Sequence, residues 1–467
     1  MSDCERFGQF MSGTSGLVLA NHSKRCHMGT MNRIVRAPRR IEQRTLPIIA
    51  VVATSGALTL GSLHCNVGEV ARSIPVGVPP VVDGGTLDGG TAANCGSAFG
   101  VSMSDFQSTN VSVVSLEGKV LSSSIISSAS ATPGVSAPLS GDVVLPFASP
   151  ASGELVLLDR YPNSTVTWLK PATAAVRTQL NVGTGFASNP RDYLEVEAGV
   201  AYISRYEKNT KPGAQAFDVG DDVIIVDTKT PKITGSIAFP PVDGEPTINN
   251  RPDRLLKVGS KVWLTLQRTS ADFGAVGNAK IGIIDASKNV TTFALDGLKN
   301  CSTLSLSPNG KQVIVSCSGS YNFAKPDFKR MISESAIVVL DATGEAPKEL
   351  ARIAATTAPF GPNIAHASDR YLLATLNGDA ASKVTERVVG IDLESKTVKE
   401  LYNSAIAFGD VGDVRCATIC GGKCFATAAE KSGLLTFSLG TDGFVAGDNV
   451  TFPDAPPKLP PRYIGGY

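Results

Sequence analysis

Arg254-Leu-Leu-Lys-Val258, Lys261-Val-Trp-Leu-Thr-Leu266, Ile281-Gly-Ile-Ile-Asp285 and Val290-Thr-Thr-Phe-Ala-Leu295 follow one another as four apolar-rich stretches. Gly259-Ser260 separates the first two, a longer polar loop the next two, and a short polar turn the last two. Each stretch has the length and residue types of a strand. We denote them a, b, c and d. The third is apolar at consecutive positions, so it predicts a strand buried on both faces. Strands a and d alternate more, as half-covered strands do.

The third stretch recurs as apolar residues closed by Asp: Leu155-Val-Leu-Leu-Asp159, Val223-Ile-Ile-Val-Asp227, Ile337-Val-Val-Leu-Asp341 and Val388-Val-Gly-Ile-Asp392. Val111-Ser-Val-Val-Ser115 and Leu434-Leu-Thr-Phe-Ser438 carry Ser in place of Asp. With Ile281–Asp285 these are seven copies of strand c, spaced by about 45 to 70 residues, somewhat longer than common propeller repeats. The expected fold is all-β: a seven-bladed β-propeller of four-stranded antiparallel blades over residues 95–452. A closed ring removes the open sheet edges. The first unit has no strand a before Phe99, and a C-terminal segment could supply it, although residues 453–467 read as a Pro-rich tail.

Val200-Ala-Tyr-Ile-Ser204 together with Asp222-Val-Ile-Ile-Val-Asp-Thr-Lys-Thr-Pro-Lys-Ile-Thr-Gly-Ser-Ile237 resembles the YVTN-type β-propeller repeat. The resemblance extends over about residues 97–450 and implies the same fold. It implies little about function, because propellers serve many tasks.

The first 64 residues read as leader and signal. Residues 1–30 have no coherent apolar pattern, and Met31 is a candidate true start. From there a basic segment with Arg33, Arg36, Arg39, Arg40 and Arg44 precedes an apolar run from Leu46 to Leu63, the order of a secretory signal. Ser62-Leu63-His64-Cys65 resembles a bacterial lipobox, which implies lipidation at Cys65. His64 stands where Gly or Ala is usual, which leaves cleavage without a lipid, or an uncleaved anchor, as alternatives. Residues 65–94 read as a flexible Gly/Pro-rich tether. The expected location is the bacterial cell envelope, periplasmic or at the cell surface, with membrane contact only through the lipid anchor.

The formal net charge is +1. The residues before Cys65 hold eight Lys/Arg against three Asp/Glu, so the remainder is slightly acidic. No basic patch suggests a nucleic-acid partner.

Six of the nine cysteines follow Cys65: Cys95, Cys301, Cys317, Cys416, Cys420 and Cys424. Cys301 and Cys317 each stand eight positions from Asn309, the tip of a hairpin, which places them opposite one another and predicts a disulfide. The other four allow three connectivities. The expected set is Cys95–Cys416 with Cys420–Cys424, the first of which would lock the ring. The Cys416/Cys420/Cys424 spacing matches no standard zinc or iron–sulfur pattern, so no metal is expected.

Beyond the signal only His366 remains among the histidines, which excludes a multi-His metal site and leaves little for a His-based triad. His366 reads as a structural residue of strand a in the sixth unit. There is no Gly-x-Ser-x-Gly elbow, phosphate-binding loop or haem motif, so no cofactor is expected. Asp218, Asp221 and Asp222 cluster before a strand, a weak calcium pattern read as a solvated loop.

Turns joining a to b and c to d are short, whereas b-to-c and several d-to-a connections are long. In an antiparallel blade the two long classes leave from one end, so they predict a loop-rich face, where binding concentrates. Arg205, Tyr206, Arg251, Arg268, Tyr321, Phe323, Asp327, Arg330, Asn363 and Asn377 are the candidate ligand-binding residues there. The function expected is a non-catalytic binding or scaffold module for an envelope protein or glycan. The alternative is an enzyme resembling propeller lactonases, which would need Arg205, Arg251, Arg268 and Asp327 to converge in a deep central pocket.

Overall fold

A computed structural model describes residues 95–241, 247–321, 326–452 and 459–467. All belong to one compact unit; Cys65, Phe323, the signal and the tether lie outside the described residues.

Seven four-stranded antiparallel blades form the propeller. The inner strands of blades 2 to 7 are Val143–Val144, Pro190–Glu197, Pro252–Val258, Cys301–Leu306, Phe360–His366 and Val414–Cys416. Blade 1 takes its inner strand from the C-terminus: Pro461–Gly466 pairs antiparallel with Ala98–Ser104. The last nine residues are therefore not simply a tail. Tyr467 continues the seam, its carbonyl accepting the N–H of Ser97 at 2.5 Å.

The core is divided among the interfaces between blades. Among the described residues there are seven apolar clusters, each shared by two neighbours, and one joins blade 7 to blade 1 through Phe99, Val101, Phe425 and Leu434. Strand c of blade 3, Gly220–Asp227, shows why consecutive apolar residues are needed. Ile224 and Val226 pack toward blade 2, while Val223 and Ile225 pack toward blade 4. Alternate side chains leave opposite faces of a strand, so a sheet between two others is apolar at every position.

Six of the seven quoted phrases fall on strand c; the second does not. Leu155–Asp159 is strand b of blade 2, and strand c is Thr165–Lys170. The terminal Asp explains the shift. In blades 3 and 4 it accepts turn N–H groups after strand c, as Asp227 does from Lys229 and Asp285 from Asn289. Asp159 instead accepts from Ser140 and from the side chain of Asn163, serving the connection after strand b.

Hydroxyl groups join the blades. Ser102, Ser204, Thr265 and Ser316, each on a strand b, donate to a carbonyl on the inner strand of the next blade: Val143 (2.8 Å), Asp253 (2.5 Å), Ser302 (3.2 Å) and Gly361 (2.7 Å). Such buried bonds contribute about 1 kcal/mol each.

Among the described residues three disulfides are present: Cys301–Cys317, Cys416–Cys424 and Cys95–Cys420. The first matches the expectation. The other two correct it: Cys95 bridges to Cys420 rather than Cys416. Cys416 and Cys424 are directly opposed in the hairpin of blade 7, and the short helix Thr418–Cys420 between them turns Cys420 outward toward Cys95.

Candidate functional site

The b-to-c and d-to-a connections share one end of the propeller, and the described residues of some of them carry secondary structure of their own. Ile248–Asn249 pairs with Thr269–Ser270 across two of them, and a short helix, Phe328–Ser333, lies within the b-to-c connection of blade 5. In blade 2 the order is reversed: residues 145–154, joining a to b, are longer than residues 160–164, joining b to c. The long connections are thus concentrated at one end but not confined to it.

Several candidate residues are inside this loop layer and not on its surface. Arg205 is fully buried, pairs with both carboxylate oxygens of Asp222 (2.7 and 2.8 Å) and donates to the carbonyl of Phe217 at 2.6 Å. Arg251 is also fully buried, paired with Glu207 and donating to the carbonyl of Ser270 at 3.0 Å. Between Arg251 and Arg191 lies the ring of Tyr206, with the guanidinium carbons 4.6 and 4.8 Å from its centroid. The Tyr206 hydroxyl donates to Gln267 at 2.6 Å, Gln267 donates to Asp253, and Asp253 pairs with Arg191. Burial pushes the Tyr206 hydroxyl pKa upward, against the pull of both arginines. Arg268 is buried and donates to Asn278 at 2.9 Å.

The remaining candidates have separate roles. Asp327 caps the blade 5 helix by accepting the N–H of Arg330, and Arg330 pairs with Glu334 at 2.9 Å on the exposed side. Asn363, buried, donates to Gly412 of the next blade, and Asn377 donates to Phe360. Tyr321 is half-buried and burial raises its pKa. Arg205, Arg251, Arg268 and Asp327 each hold a different set of partners, and none of these hydrogen bonds joins one of the four side chains to another. The three aspartates also diverge: Asp218 accepts from Gly213, Ala214 and Gln215, Asp221 from Asn250 and Arg251, and Asp222 from Arg205.

Among its exposed polar residues the loop end also exposes apolar ones. Tyr161, Phe217, Val219, Ile406 and Phe408 are its exposed large hydrophobic residues, all in b-to-c or d-to-a connections. Leu350, Val398 and Val445 lie on outermost strands, and Ile419 lies at the opposite end.

A second group of polar residues surrounds the axis, and sequence reasoning missed it. Arg191, Asp192, Asp253, Arg254, Asp413 and Arg415 are all buried on or beside inner strands. Asp192 accepts the N–H groups of Phe147, Tyr193 and Leu255 (2.9, 3.0 and 2.8 Å), joining blades 2, 3 and 4. Asp413 similarly accepts from Ile464 at 3.0 Å, joining blade 7 to blade 1. The signal was available: Pro190-Arg-Asp192, Pro252-Asp-Arg254 and Asp413-Val-Arg415 put opposite charges together at the start of strands that must be enclosed.

His366 ends the inner strand of blade 6, with Nδ1 3.0 Å from the Ser368 carbonyl, so Nδ1 carries the proton. Burial lowers its pKa to about 4.

No protein-family model matches the chain, and no curated protein matches it. Among solved structures, a hypothetical selenium-binding protein from Sulfolobus tokodaii is similar at 11% identity and a TM-score of 0.53, covering 79% of this chain and 93% of its own. A protein from Lactobacillus plantarum is similar at 10% identity and a TM-score of 0.50, covering 79% and 99%. A protein from Bacteroides fragilis described as a "putative 6-phosphogluconolactonase" is similar at 12% identity and a TM-score of 0.49, covering 79% and 98%. The likeness is one of fold. At these identities it carries no activity across to this chain.

Proposed function

We propose that this protein is an exported, membrane-tethered β-propeller that binds an envelope protein or glycan through its loop-rich end and performs no chemistry there. One relationship carries the reading: among the described residues most of the exposed large apolar side chains are in the connections at the end of the propeller away from chain entry, with Ile419 the exception beside Cys420. Ala98–Ser104 is a strand b, so Cys95 is at the a-to-b end, where it bridges to Cys420 in the turn of blade 7. The chain before Cys95 joins the propeller there. A tether leading to a lipid at Cys65 would hold that end toward the membrane and present Phe217, Val219, Ile406 and Phe408 outward. Exposed apolar residues ringed by polar loops suit partner recognition. The three disulfides fit an oxidising compartment.

A photo-reactive amino acid placed at Phe217 or Phe408, and separately at Val445 on the outer rim, tests this in intact cells. The same adduct is expected from both loop positions and not from Val445. Equal labelling at all three positions, or turnover of a lactone panel by the purified protein with no loop-specific adduct, overturns the proposal.

A further inference from the structure

Arg415 begins on the inner strand of blade 7, yet its guanidinium lies 4.5 Å over the ring of Phe147, which follows the inner strand of blade 2. It is also close enough to Asp192 of blade 3 and Arg254 of blade 4 for their charges to act on it. A side chain rooted in blade 7 meets blades 2, 3 and 4 together only by reaching across the axis. Arg415 therefore occupies the centre of the propeller.

Its donors are not all used. Nη1 donates to Asp413 and to the Val414 carbonyl, both at 2.7 Å. Nε and Nη2 are buried and have no protein partner. These two nitrogens form one edge of the guanidinium, the edge that receives the two oxygens of a carboxylate side by side. Phe147 covers the flat face, which leaves that edge directed sideways.

Arg254 is held by longer contacts than Arg415. Its nearest carboxylate is Asp192 at 3.8 Å, and Nη1 lies 3.4 Å from the Arg191 carbonyl. Asp192 is also engaged by three backbone N–H groups, so Arg254 shares it rather than holding it alone. Burial lowers the pKa of Arg415; Asp413 opposes this and the charge of Arg254 adds to it. Two guanidinium groups near one another in a buried space, one of them with unused donors, favour an anion between them.

We propose that the Nε–Nη2 edge of Arg415, flanked by Arg254, is a binding site for a small monocarboxylate at the centre of the propeller. The single charge follows from the surroundings. Arg191, Arg254 and Arg415 are matched in number by Asp192, Asp253 and Asp413, so every negative charge a ligand brings is a buried excess and a monoanion brings the least. The small size follows from the burial of Arg415, whose side chain is 6% exposed. This site is separate from the loop end and stands or falls independently of it.

Labelled acetate titrated into the full, disulfide-intact protein at pH 7 tests the site, with sodium chloride at matched ionic strength as control. Saturation-transfer NMR should show bound acetate, and the melting temperature should rise with acetate beyond the chloride control. Arg415→Lys keeps the charge but removes the edge, and should weaken binding at least tenfold. Arg254→Gln should weaken it several-fold and, if Arg415→Lys does not fold, decides the matter alone. Equal shifts with acetate and chloride, or acetate bound by Arg254→Gln as tightly as by the wild type, overturn the proposal. A crystal structure grown in acetate with only water on Nε and Nη2 overturns it as well.

Discussion

Arg205 donates to the carbonyl of Phe217 at 2.6 Å, so a fully buried cation holds the backbone of an exposed aromatic residue. Phe217 has φ +59, an unfavourable setting for a bulky side chain, and its carbonyl also accepts from Thr184 at 3.1 Å. Arg205 thus acts on the loop-end surface from beneath. Arg205→Met would leave Asp222 buried without its cation, at a cost of about 3–5 kcal/mol. Its urea midpoint should fall, and amide exchange across residues 209–219 should accelerate. Arg205→Lys, which keeps the charge but not the fork, should fall between variant and wild type. An unchanged midpoint in Arg205→Met contradicts this account.

Cys95 and Cys420 are separated by 325 residues in sequence, so their bridge encloses nearly the whole propeller. Cross-links over long loops restrict the unfolded chain most, and losing one costs about 2–5 kcal/mol. Replacing both cysteines by serine should lower the denaturant midpoint accordingly. The double serine variant at Cys301 and Cys317, a bridge spanning 16 residues, should lose less. Equal losses would show that native-state packing, not chain entropy, sets both values.

Pro461–Gly466 covers one side of Ala98–Ser104. Deleting residues 461–467 bares that edge and removes Ile464 from the apolar cluster joining blades 1 and 7. An exposed strand edge pairs with other chains. Truncated protein should appear as oligomers or aggregates in light scattering, and a synthetic peptide of residues 459–467 should restore the monomer. A truncated protein that stays monomeric with an unchanged melting temperature would show that this strand is dispensable.

Strand c was the most legible element because its burial on two faces removes polar residues from a whole stretch. Blade 2 was misread because Leu155–Asp159 and residues 165–169 are both completely buried, so burial alone does not separate b from c there. The closing strand was obscured by Pro460 and Pro461, which suit the start of an inner strand as well as a tail. Cys416–Cys424 was accessible by the logic that found Cys301–Cys317, since both members stand four positions from Cys420. The site residues were harder. Arg205 and Tyr206 belong to strand Val200–Lys208, which runs on past the expected start of the loop at Arg205, while Arg251 lies in a long connection, and sequence does not tell a loop's outer layer from the buried layer beneath it. Cross-blade partners such as Asp192 with Leu255 are 63 residues apart and come together only when the ring closes.

His366 sets an acid limit. Its folded pKa is about 4, against roughly 6.5 for an unperturbed histidine. Between those values the unfolded chain binds more protons than the folded one. The stabilisation from keeping His366 neutral is therefore fully present above pH 6.5 and lost as pH falls toward 4, amounting to about 3 kcal/mol. Asp221 acts in the opposite sense: burial raises its pKa to about 6, so its contribution favours the fold at low pH and declines as pH rises through 6. It is only half-buried, and solvent screening reduces its effect. The wild type's stability advantage over His366→Gln should accordingly shrink as pH drops from 6.5 to 4, while its advantage over Asp221→Asn should grow. Urea unfolding at several pH values across that range measures both differences. Parallel curves for wild type and His366→Gln would show that the imidazole is not held neutral by burial.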